Sequence, residues 1–94
     1  MLKYKTETNW RRELGADEMI LVNAKLAELI AQGKTDGIRH AEPYTERDDS
    51  DIVNPITSFT IERYWATEED AQAWIDFFSD FNPPIWRSKI SVRE

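Results

Sequence analysis

The sequence contains no cysteine and one histidine. Without cysteine there is no disulfide framework, no thiolate zinc site and no cysteine nucleophile. The composition suits a reducing compartment, so a cytoplasmic location is expected. One histidine, His40, cannot build a multi-histidine metal site, and no spacing gives it the orienting partner of a Ser-His-Asp arrangement. Glycine is scarce too: Gly15, Gly33 and Gly37 open no GxGxxG or Walker pattern, so no phosphate-cradling loop is predicted. The longest apolar run, Met19–Val22, falls far short of the roughly 20 residues that cross a bilayer, and no membrane contact is expected. The acidic run Asp48-Asp49-Ser50-Asp51 invites a calcium reading. It lacks the glycine and the closing glutamate of an EF-hand loop and reads instead as a solvated turn. Neither a metal nor a cofactor is expected.

What remains is a globular composition. Hydrophobic residues make up 40% and charged residues 32% of 94, which predicts one domain over residues 1–94. The net charge of −6 disfavours general binding to a nucleic-acid backbone and leaves a basic protein as the fitting partner. Aromatic residues at 12% supply anchors for a core or an interface.

Residues 2–10 alternate, with Leu2, Tyr4, Thr6, Thr8 and Trp10 facing one way and Lys3, Lys5, Glu7 and Asn9 the other, the period of a half-buried strand. A helix follows, with Asp17 as its expected N-cap, an apolar stripe of Met19, Val22, Leu26, Leu29 and Ile30, and Gly33 as its stop. Residues 38–46 read as an edge strand because Pro43 cannot donate to a ladder. Residues 56–65 form the clearest strand, with Phe59, Ile61 and Trp65 against Ser58, Thr60 and Glu62. Thr67-Glu68-Glu69-Asp70 resembles a capping box, opening a helix that buries Ala71, Trp74, Phe77, Phe78 and Phe81 and stops at Asn82-Pro83-Pro84. The last strand, 85–92, sets Trp86, Ile90 and Val92 against Arg87, Lys89 and Arg93. The order β-α-β-β-α-β predicts a ferredoxin-like α+β fold: a four-stranded antiparallel sheet with two helices on one face, the first and third strands central.

The stretch from Phe59 to Trp74, with Tyr64-Trp65-Ala66-Thr67-Glu68-Glu69-Asp70 at its heart, resembles the central signature of antibiotic-biosynthesis-monooxygenase-type domains of the dimeric α+β barrel group. That resemblance implies a homodimer and, in active members, cofactor-free oxidation of aromatic or haem substrates. The haem-degrading branch uses an asparagine on the first strand and a tryptophan ending the third, which would be Asn9 and Trp65. It adds a histidine near the second helix. Residues 77–84 hold none, and His40 is the only histidine left for the role. The ligand cavity so implied would lie between helices and sheet, lined by Trp10, Trp65 and Trp74.

Charge against face gives a second set of candidates. With the apolar sides of the strands against the helices, Lys3, Lys5, Arg87, Lys89 and Arg93 gather on the open side of the sheet, partly neutralised by Glu7 and Glu62. The helices carry Glu68, Glu69, Asp70, Asp76 and Asp80 outward. The open face could pair with a second copy or bind an anion, and the acidic helices could dock on a basic partner. The leading expectation is a non-enzymatic interaction protein, homodimeric, in an accessory or inhibitory role such as phage genomes often encode. The second is a small-ligand-binding or monooxygenase-like protein.

Overall fold

A computed structural model describes residues 2–37, 43–48, 53, 56–81 and 84–93. The elements run β1 (Tyr4–Trp10), α1 (Ala16–Ala31), β2 (Tyr44–Asp48), β3 (Ile56–Trp65), α2 (Glu68–Phe77), a short 3₁₀ turn (Phe78–Asp80) and β4 (Arg87–Val92). This is an α+β arrangement with one four-stranded antiparallel sheet in the order β2-β3-β1-β4, so β1 and β3 are central. Among the described residues no helix is long and apolar enough to cross a membrane.

The alternation in β1 fixes the two faces. Thr6, Thr8 and Trp10 are buried, and register places them opposite Arg63, Ile61 and Phe59 of β3. Their hydroxyls do not go unpaired: Thr6 donates to the Arg63 carbonyl and Thr8 to the Ile61 carbonyl, while the Trp65 indole Nε1 donates to Thr6 Oγ1 at 2.9 Å. Onto this face α1 brings Val22, Leu26 and Leu29, and α2 brings Ala71 and Trp74, all in one cluster with Trp10, Ile61, Trp65 and Phe78.

Local chemistry sets the helix ends. Gly33 has φ +72°, the left-handed region that glycine enters without a Cβ penalty. Around it Lys34 N–H donates to the Leu29 carbonyl and Gly33 N–H to the Ile30 carbonyl, the paired bonds of a Schellman stop. Thr67 caps α2 as expected, its Oγ1 accepting from Asp70 N–H at 3.1 Å. The N-cap of α1 is Gly15 and not Asp17, which falls inside the first turn beside Glu18. There both acids still face the positive end of the helix.

Two further expectations shift. The second strand runs past its expected end at 46: Arg47 and Asp48 continue the ladder, opposite Thr57 and Ile56. Residues 38–42, with His40, and the turn from Asp49 to Asp51 lie outside the described residues, as do Asn82 and Pro83. Trp86 does not join Ile90 and Val92 on the helix side. Register pairs Asn9 with Arg87, yet the Asn9 carbonyl accepts from Trp86 N–H at 2.8 Å. The ladder slips by one residue there, and a one-residue slip changes the face a side chain meets.

Candidate functional site

The space between helices and sheet is closed by rings. Trp10, Trp65 and Trp74 are 0% exposed and Phe78 1%. Trp74 lies 5.3 Å from Trp65 and 4.9 Å from Phe78, which lies 5.0 Å from Trp10, and Phe77 and Phe81 extend the stack. These separations are those of packed, mostly edge-on aromatic pairs. Trp10, Trp65 and Trp74, the expected cavity lining, are therefore mutual packing partners.

The residues the monooxygenase-type resemblance would bring together are separated. Asn9 projects from the opposite side of β1 to Trp10. Its Nδ2 donates to Thr60 Oγ1 at 2.6 Å and to Ser58 Oγ at 3.1 Å on the open face. Trp65 is buried on the helix side, and His40 lies outside the described residues. No group of three or more His, Asp or Glu among the described residues is disposed to hold a metal.

The open face holds the recess instead. A groove of about 790 Å³ has Asn9, Ser58 and Thr60 in its floor with Glu7 beside them on β1, Glu46 on the β2 side and Trp86, Arg87 and Lys89 on the β4 side. The Arg87 guanidinium covers the Trp86 ring at 3.9 Å, with Arg11 on the same ring at 5.3 Å, and Arg93 covers Tyr64 at 4.4 Å.

Next to the groove the central charges neutralise one another. Lys5 Nζ lies 3.2 Å from Glu7 and 3.3 Å from Glu62, and the Tyr44 hydroxyl donates to Glu62 at 2.8 Å. The Tyr44 hydrogen bond and the Lys5 ammonium hold the Glu62 carboxyl below its ordinary value, against burial. Hydrogen bonds to Glu7 and Glu62 raise Lys5. Burial and Glu62 push Tyr44 far up, so its hydroxyl remains a donor. The five basic candidates thus share a face without sharing a state. Lys5 is neutralised, while Arg87, Lys89 and Arg93 pair with no carboxylate among the described residues.

A lowered carboxyl contributes stability that is complete above the unfolded-state pKa and lost as pH falls through the lower, folded one. Glu62→Gln should therefore flatten the acid limb of a plot of melting temperature against pH, below the ordinary 4.5. Parallel acid limbs for the two proteins would show that the network adds nothing to stability.

On the helices, Glu68, Glu69, Asp76 and Asp80 are exposed. Asp70 lies 3.7 Å from Lys34 Nζ, and Asp76 accepts from Gln72 Nε2 at 3.0 Å. Sequence reasoning missed Tyr44 and Trp86 as open-face aromatics. The run Asn82-Pro83-Pro84 signalled only that the helix ends, not where the register of the last strand begins. It also missed the outer side of α1. At about 100° per residue, the exposed Ala16, Ile20, Ala24, Ala27 and Ala31 fall in one arc of roughly 80° with no charge in it. Ile20 is 66% exposed; Leu21, 57% exposed, lies beyond Asp17 and Glu28, which border the arc.

The chain matches no protein-family model, no curated protein and no solved structure. The likeness of residues 59–74 to the monooxygenase-type signature is therefore carried by those residues alone.

Proposed function

We propose that this chain is a non-catalytic interaction module, a small acidic accessory or inhibitory protein that works as a homodimer. We read its β-α-β-β-α-β order and its sheet, with β1 and β3 central, as the ferredoxin-like arrangement. The observation that carries the reading is the closed interior. Large rings fill the space where a ligand would lie, so recognition falls to the outer surfaces.

The dimer contact this reading favours is the uncharged arc of α1. A helix normally turns charge outward opposite its core face, and α1 turns alanine and isoleucine. The arc is self-complementary for an antiparallel pair. Ile20 of one copy meets Ala31 of the other, and Ala24 meets Ala27, where small side chains let the helices approach closely. A two-fold axis repeats both contacts, and the opposed helix dipoles favour them. The open sheet face and the acidic side of α2 stay free, the latter for a basic protein.

Light scattering on the eluting protein, with native mass spectrometry, tests this. The expected result is a dimer that Ala24→Glu and Ile20→Glu each convert to monomer while the far-ultraviolet circular dichroism stays unchanged. A monomeric parent protein, or glutamate variants that remain dimeric, would sink the α1 contact. The groove supports a second reading, since its volume lies within the range of small-molecule sites. A small molecule retained in the native mass would favour ligand binding on the open face, over Asn9 and away from Trp65.

A further inference from the structure

We propose that the outer edge of β4 takes up an extended segment of another protein as a fifth strand, a segment in which acidic residues alternate with apolar ones. The proposal rests on the interaction-module reading but not on the α1 contact.

It begins with unpaired backbone. β4 is an edge strand. Arg93 N–H donates to the Lys3 carbonyl, so by antiparallel alternation the odd-numbered residues of β4 turn their backbone groups towards β1. The N–H and C=O groups of Ser88, Ile90 and Val92 point the other way, where no strand pairs with them among the described residues. Such a row is a template for an incoming strand.

The side chains specify what that strand carries. On the open face β4 presents Arg87, Lys89 and Arg93, and none of them pairs with a carboxylate among the described residues. Glu7 is the register partner of Lys89, but Lys5 holds it at 3.2 Å. On the helix side β4 presents Ile90, half-buried, and Val92, 55% exposed. An added strand therefore needs acids on the open side and apolar residues on the helix side, alternating at the strand period.

A second copy of β4 does not meet that need. Pairing it antiparallel with the same faces aligned sets Arg87 against Arg93, or Lys89 against Lys89, and like charges directly opposed are destabilising. A nucleic acid has no backbone N–H and C=O groups to complete the ladder, and Glu7, Glu46 and Glu62 on the same face would repel its phosphates.

The probe is a capped heptapeptide alternating glutamate with valine, titrated into the ¹⁵N-labelled full chain while amide hydrogen exchange is followed. Slowed exchange is expected at Ser88, Ile90 and Val92, with Lys89 and Arg93 unchanged. Replacing glutamate by glutamine in the peptide, or making Arg87→Glu with Lys89→Glu in the protein, should weaken binding at least about tenfold. Ser88→Pro should abolish binding with the inward ladder intact, since the lost N–H faces outward. The peptide-side change keeps the test decisive even if a protein variant fails to fold. Protection at Asn9 and Thr60 without protection at the β4 edge would overturn the proposal. So would equal affinity for the glutamine peptide, or displacement of the peptide by an oligouridylate. Any of these would leave the dimer measurement, and with it the interaction-module reading, standing.

Discussion

Trp65→Ala lowers the free energy of unfolding by about 3–5 kcal/mol, read by urea denaturation followed by circular dichroism. The residue is 0% exposed, packs on Trp74 at 5.3 Å and donates its indole N–H to Thr6. Truncation opens a cavity among rings that cannot collapse into it, because Trp10, Trp74 and Phe78 are themselves wedged between sheet and helices. Against a typical total of about 5–15 kcal/mol, that is a large fraction of the stability. Trp65→Phe separates the contributions: it keeps a ring and loses the hydrogen bond, so its cost should be clearly smaller. A Trp65→Ala protein as stable as the parent would mean the side chain is held for a ligand and not for the core.

Breaking the buried ion pair is the second large effect. The Arg63 side chain is 3% exposed, and its Nη2 reaches Asp36 Oδ1 at 2.8 Å and Thr35 Oγ1 at 3.3 Å. Burial lowers the guanidinium pKa and outweighs Asp36, which raises it: desolvation is the dominant force on this group. Removing the carboxylate leaves a buried charge with its main partner gone. Asp36→Ala should cost about 3 kcal/mol, the low end for a broken buried pair because Asp36 is itself 23% exposed. Arg63→Met combined with Asp36→Ala removes both charges, and the double variant should be more stable than Asp36→Ala alone. If the two costs simply add, Arg63 does not depend on Asp36, and the segment at 35–36 is held by the Thr35 bridge to Trp65 instead.

The pair also shows what a sequence conceals. Period-two alternation revealed β1 and β3, since each turns one face to a core, and the three- and four-residue spacings revealed both helices. Arg63 sits at a core position of β3, where alternation predicts an apolar residue. Its partner lies in a segment with no period, so nothing local announced the pair. Trp86 eluded the same reasoning for a different reason: parity holds only while register holds, and the ladder slips by one residue beside Asn9. The basic residues of the open face were legible as a group, since parity decides sidedness. Which of them are neutralised was not, because that depends on side-chain reach from Lys5 to two glutamates on different strands. The uncharged arc of α1 is present in the letters, but small side chains carry little hydrophobic signal, so the apolar stripe facing the core dominates the helical pattern.

The sheet order has a consequence in time. β1 is flanked by β3 and β4, and its ladders join Tyr4 to Trp65 and to Val92. Neither neighbour of the first strand exists until most of the chain has been made, and closing such wide loops costs entropy before any ladder bond offsets it. The α1 helix with its Gly33 stop needs only near neighbours and forms early. Meanwhile β1 lacks both of its ladder partners, and an unpaired alternating strand is open to mispairing. Lys3, Lys5 and Glu7 then act as gatekeepers, their charges discouraging association with other nascent chains until β3 and β4 arrive.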